Sequence, residues 1–112
     1  MLQKISGGFS PELIQPGTTQ LSIKDCPAFD GKNLPAGLQR LVIHNCPAFD
    51  GKDLPAAVSD LVVVNCSAFD GQGLPASLSS LAINNCPAFK QQHLPSGVMF
   101  LRVDGEVKLC RA

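Results

Sequence analysis

Leu34-Pro35-Ala36-Gly37-Leu38-Gln39-Arg40-Leu41-Val42-Ile43-His44-Asn45-Cys46-Pro47-Ala48-Phe49-Asp50-Gly51-Lys52-Asp53 is one copy of a unit that begins again at Leu54-Pro55, Leu74-Pro75 and Leu94-Pro95. Upstream, Leu21-Ser22-Ile23-Lys24-Asp25-Cys26-Pro27-Ala28-Phe29-Asp30-Gly31 belongs to an earlier copy. The restarts at 34, 54, 74 and 94 set a period of 20 residues, with no insertion or deletion until the C-terminus. Self-similarity at a fixed short period is the signature of a solenoid, in which each unit is one coil that cannot bury its apolar side chains alone.

Within the unit, Leu41-Val42-Ile43-His44 alternates in the manner of a short strand, with Leu41 and Ile43 inward. The pairs Leu21/Ile23, Leu61/Val63, Leu81/Ile83 and Leu101/Val103 repeat it. Pro47 and Asp50-Gly51 are turn chemistry, and Leu54-Pro55 returns the chain, because proline suits neither a helix interior nor a central ladder. No stretch carries a 3.6-residue apolar period long enough for a helix. One strand per coil must therefore stack in parallel on the next, ~4.8 Å away.

Bulk properties narrow the function classes. The chain of 112 residues is one domain in length, and its hydrophobic fraction of 45% without Trp or Tyr assigns the core to Leu, Val, Ile and Phe. Nine basic and nine acidic residues cancel, so neither nucleic acid nor an anionic membrane finds an electrostatic footprint. The longest apolar run, at 61–64, is far too short for a bilayer, and Met1-Leu2-Gln3-Lys4-Ile5-Ser6-Gly7-Gly8 lacks the apolar segment of a secretory signal. Four of the five cysteines, Cys26, Cys46, Cys66 and Cys86, occupy one slot of the repeat, and Cys110 stands outside it. An odd count in a repeated slot reads as packing rather than pairing, which favours a reducing compartment.

The pattern Leu38-x-x-Leu41-x-Ile43-x-x-Cys46-x-x-Phe49 resembles the conserved half of a leucine-rich repeat. Its Leu-Pro-x-x-Leu lead-in and 20-residue length are similar to the short repeats of secreted bacterial effectors, and also to FNIP-type repeats. Departures are Cys in place of Asn in every copy, Phe at the last Leu position, and Thr18 where Leu38 sits in the next unit. The resemblance implies an α/β-type leucine-rich-repeat solenoid, here mostly β with little or no helix. It implies a parallel β-sheet on one face that binds other proteins, and, for an effector, delivery into a host cytosol. No helical cap and no ligase domain accompany the repeats, so ligase activity is not carried over.

The expected organisation is a single domain, 1–112. Residues 1–17 form an N-terminal cap or partial repeat, 18–103 the repeats, and 104–112 an antiparallel capping strand. For that strand, a three-residue loop pairs Val103 with Val107 and Leu101 with Leu109, and keeps one face apolar. A two-residue Asp104-Gly105 turn would instead set Glu106 and Lys108 against Val103 and Leu101. The three-residue loop is the expectation.

Three ladders recur. For the cysteines, metal binding or disulfides are opposed by geometry: stacked Cβ atoms lie ~4.8 Å apart, disulfides need ~3.8 Å, and zinc needs converging tetrahedral ligands. They are read as buried apolar thiols. Asp30, Asp50 and Asp70, followed by Lys90, are read as turn caps rather than a calcium strip. Asp25, Asn45, Asn65 and Asn85 are expected to bond backbone at the strand exits. His44 and His93 fall in different slots, Cys46 is inward where His44 is outward, and no phosphate loop or paired carboxylates appear. Catalysis, metals and cofactors are not expected.

The outward strand positions remain. Ser22, Val42, Val62, Ala82 and Arg102 form one row and Lys24, His44, Val64, Asn84 and Asp104 the next. Val42, Val62, Val64 and Ala82 make an apolar strip where water is expected, against the plain reading that β-branched residues simply suit strands. Phe100 flanks it, as an anchor or as packing under the last strand. The expected binding surface is Lys24, Val42, His44, Val62, Val64, Ala82, Asn84, Phe100 and Arg102, holding a protein or peptide. Five strands of five residues offer roughly 400 Å², about half of one side of a standard interface. The second reading is a structural unit forming a homo-oligomer through an open end or the apolar strip.

Overall fold

The computed structural model describes residues 2–6, 14, 17–27, 29, 34–51, 54–90, 94, 95 and 97–110. Seven strands form one sheet in sequence order: β1 (Leu2–Ser6), β2 (Gln20–Lys24), β3 (Arg40–His44), β4 (Asp60–Val64), β5 (Ser80–Asn84), β6 (Phe100–Val103) and β7 (Glu106–Cys110). The strands β1 to β6 are parallel, β7 is antiparallel to β6, and among the described residues there is no helix. From β2 to β6 each residue pairs with the one 20 positions on, as Gln20 with Arg40. Between β1 and β2 the offset is 18, Leu2 pairing with Gln20, so the first coil is two residues short. The expected partial repeat at the N-terminus thus contributes a complete strand.

Inward and outward positions alternate as the strand pattern requires. Leu21, Ile23, Leu41, Ile43, Leu61, Val63, Leu81, Ile83 and Leu101 are buried. Two tight turns close each coil from β2 onward. In the first, the N–H of Phe49 donates to the carbonyl of Cys46 at 3.0 Å; in the second, the N–H of Val58 donates to that of Pro55 at 3.3 Å, and the other copies repeat both. Pro55 suits this second turn because its fixed φ is pre-set and its missing donor is not needed there. The carbonyl of Gln39 then takes the N–H groups of both Ser59 and Asp60, at 2.9 and 3.2 Å, handing the chain to the next strand.

Phe29, Phe49 and Phe69 are fully buried and stack on one another and on Phe89, with ring centroids 5.7, 5.8 and 5.9 Å apart and planes within 6° of parallel. Gly51 exists for this ladder. It sits at φ 76°, and a Cβ there would stand 2.7 Å from Cε1 of Phe69. Gly71 bears the same relation to Phe89 at 3.0 Å.

At each strand exit, Asp25, Asn45, Asn65 and Asn85 adopt φ between 54° and 57°, the left-handed region that Asn and Asp tolerate best among residues bearing a side chain. Their role is conformational more than capping. The backbone N–H of Asn45 donates to the carbonyl of Val64, and that of Asn65 to the carbonyl of Asn84, at 2.9 and 2.8 Å. The Asn45 amide donates not to backbone but to the Asp25 carboxylate, at 2.8 Å. Asp70 does cap its turn, accepting the Gln72 N–H at 3.0 Å, whereas Asp30 of the acidic ladder lies outside the described residues.

The C-terminal hairpin corrects the expected loop. Asp104 and Gly105 form a two-residue turn with φ 51° and 83°, and Val103 pairs with Glu106 and Arg102 with Val107. Positive φ at both central residues is the turn whose twist matches the strands, and Asp-Gly favours it. A register shift between Leu101 and Arg102 then absorbs Lys108 as a bulge and brings Leu109 opposite Leu101, as the apolar pattern demands. Val107 is left exposed beside Arg102 instead of facing Val103.

These backbone demands give a first test. Asn65→Val should lower the unfolding free energy by about 1–2 kcal/mol, while Asn65→Gly should be tolerated. Gly51→Ala should exceed Asn65→Ala in cost, because a steric collision adds to the φ penalty. Urea denaturation followed by circular dichroism measures all four.

Candidate functional site

The strand register assembles the outward residues into three rows. Ser22, Val42, Val62, Ala82 and Arg102 are paired in sequence across β2 to β6, and Lys24, His44, Val64 and Asn84 lie beside them across β2 to β5. Phe100 lies in a third row, Gln20, Arg40, Asp60, Ser80 and Phe100, on the same face, since Leu101 between it and Arg102 points inward. Phe100 is half-buried on this outward face, in register with Ser80.

Val42, Val62, Val64 and Ala82 are half-buried by one another and by their neighbours, while Lys24, Asn84 and Arg102 are exposed. Half-burial at the centre and full exposure at the margin make an apolar strip bounded by polar groups. A shallow depression borders it, lined in part by Val62, Val64, Ala82, Asn84 and Arg102, with Gly105 of the hairpin at its rim. A second lies on the same face, among Lys4, Ser22, Arg40 and Val42. His44 stands in register between Lys24 and Val64, and its Nδ1 is enclosed without a hydrogen-bond partner among the described residues.

Arg40, Asp60, Lys4 and Val107 belong to this surface although the sequence reading omitted them. The two-residue alternation that found Val42 and His44 extends to Arg40 and Asp60. Val107 was hidden by the bulge, which no alternation rule reveals.

The cysteine slot is a different environment. Cys26, Cys46, Cys66 and Cys86 are buried free thiols. Each donates to the carbonyl two residues before it: Lys24, His44, Val64 and Asn84, at 3.3, 3.4, 3.3 and 3.5 Å. The carbonyls of His44, Val64 and Asn84 also accept a backbone N–H from the preceding coil, so the thiol satisfies their second lone pair. This is a physical reason for Cys where an apolar residue alone would fill the space. Burial pushes the Cys46 and Cys86 thiols above their ordinary range and that of Cys66 up to about 12; the N–H of the preceding cysteine opposes the shift, and the neighbouring thiols add to it for Cys46 and Cys66. Such thiols are poor nucleophiles.

Among the described residues, no group of three or more His, Cys, Asp or Glu side chains converges as metal ligands would, and no helix is long and apolar enough to cross a membrane. No family model, curated protein or solved structure matches the chain.

The raised thiol has a pH consequence of definite sign. The folded chain holds the Cys66 proton more tightly than the unfolded one, so its stability is fully present below the ordinary value of 9.0 and is lost as pH rises from there through about 12. Unfolding midpoints measured across that window should fall, and Cys66→Ala should flatten the decline. Thiolate absorbance is unobscured in a chain without Tyr, and the part of it that Cys66→Ala removes should appear only well above 9.0; a Cys66 contribution near 9.0 in the folded chain would contradict the assigned environment.

Proposed function

We propose that the chain is a leucine-rich-repeat-type solenoid, akin to the short effector-type repeats, that acts as a non-catalytic binding module. Its strand face holds a protein or peptide partner. The observation that carries this reading is the strip Val42, Val62, Val64 and Ala82, set flush in the sheet and bounded by Lys24, Arg40 and Arg102. Slots that build the coil repeat nearly without change, whereas the outward rows vary from strand to strand. Loop slots such as Asn33, Asp53, Gly73 and His93 vary as well, but the outward rows do so across one continuous accessible face, which recognition needs and folding does not.

The fitting ligand is an extended or loop-shaped apolar segment with acidic groups near its ends, able to meet Lys24 and Arg102. Six strands of five residues and one of four present roughly 540 Å², short of the ~800 Å² per partner of a standard interface. The complex should therefore be weak, with an anchor near Val62 and Val64 supplying most of the affinity. Neutral net charge argues against nucleic acid and anionic membranes as partners, the protonated thiols argue against nucleophilic catalysis, and unpaired thiols suit a reducing compartment. The reading calls for no cofactor.

The test is peptide display panned on the immobilised chain, with a Val62→Asp/Val64→Asp variant beside it. Selected peptides should lose at least about tenfold in affinity for the variant, while its circular dichroism stays unchanged because both positions face outward. Peptides that bind both proteins equally would move the site off the strand face.

A further inference from the structure

The phenylalanine ladder is closed at one end and open at the other. Phe29, Phe49 and Phe69 are fully buried, but Phe89 is only partly so, and among the described residues no ring stacks on its far side. Cys86, at 8% exposure, is likewise less covered than the other three cysteines of its slot at 0%. The cause is topological. After β5 the turn through Cys86 and Phe89 is the last of its kind, because Asp104 and Gly105 divert the chain into the hairpin where a further coil would begin. The sheet side thus runs on through β6 and β7, two strand spacings or about 10 Å past β5, while the turn side stops. The C-terminal end is a step, with a depression at its base lined by Asn85, Cys86, Pro87 and Asp104. Among the described residues, the large exposed apolar side chains are Met99 at 47% and Val107 at 52%, and both lie in the last coil and hairpin.

We propose that this stepped end docks a second copy of the chain, tail to tail about a twofold axis. Head-to-tail stacking is blocked, because the ring that would have to receive Phe89 is Phe29, already sealed at 0% exposure. A step is also complementary to itself under twofold rotation: the hairpin of each copy overhangs the turn of the other, and the two heights match by symmetry. Charge fits the same arrangement. Lys90 stands where the earlier copies carry Asp50 and Asp70, and in such a pair it approaches Asp104 of the second copy, an exposed carboxylate on the hairpin. The stack measures 25 × 21 Å across, so the contact covers on the order of 400 Å² per copy, about half of a standard interface. The dimer is therefore one that dissociates on dilution, and isologous contact stops assembly at two.

Sedimentation equilibrium of the whole chain over a dilution series tests this. The informative variant is Pro87→Asp/Lys90→Asp, whose fold is safe because Ser67 replaces proline in one copy and Asp50 and Asp70 occupy the lysine slot in others. Wild type should show a monomer–dimer equilibrium. The double variant, with unchanged circular dichroism, should dimerise about tenfold more weakly through like-charge repulsion. Val62→Asp/Val64→Asp should dimerise as wild type does, which separates this end from the strand face. A monomer at every concentration, mass growing beyond two copies, or a dimer abolished by the valine variant but not by the end variant would each overturn the proposal.

Discussion

Every slot of this coil rests on its own copy in the next coil, and that constraint governs which residues the chain can use. A side chain must suit not only its place in the fold but a near-identical neighbour one strand spacing away. Phenylalanine meets the condition by stacking at 5.7–5.9 Å. Cysteine meets it because its thiol is small enough to lie beside another and still reach a carbonyl of its own coil. Asparagine meets it as a residue that accepts positive φ while carrying no charge to repel its copies. Where charge does appear in the asparagine slot, it is at the first rung, as Asp25, which accepts the amide of Asn45.

Much of this was legible from residue order because the repeat supplies its own alignment. Four near-identical units expose which positions are held and which vary, and alternation within Leu41-Val42-Ile43-His44 separates core from face. Features that depend on a single occurrence were harder. The bulge at Lys108 has no second copy to reveal it, and a three-residue loop satisfies the same apolar pattern. Gly51 looks like ordinary turn chemistry until the ring of Phe69 is seen against it, a contact made 18 residues away in the next coil. In hindsight the clue is there: Gln91 replaces glycine only in the copy where Leu109, not phenylalanine, follows at that spacing. The exit asparagines are ambiguous in sequence for a related reason, since a side chain prone to backbone bonding and a backbone prone to left-handed φ give the same preference for Asn.

The candidate surface follows from the division of labour within the coil. Core positions and the prolines and glycines of the turns are committed to closing and stacking, so differences between copies fall on the outward side of the five-residue strand and in the connecting loops. The resulting face is narrow but continuous, with a half-buried apolar centre that the sheet itself keeps rigid. A ligand need not order it, and the modest area is partly compensated by that preorganisation.

Uniform coils have a cost in folding that the two ends offset. Because β2, β3, β4 and β5 present nearly the same inward pair, a strand can lie against the next-but-one copy with little local loss, looping out an entire coil. Such a slipped arrangement is penalised only where the copies stop being alike: at the 18-residue first coil and at the bulged hairpin, neither of which has an equivalent elsewhere. The terminal irregularities therefore count the units, and lengthening the array between them should be easier than altering either end.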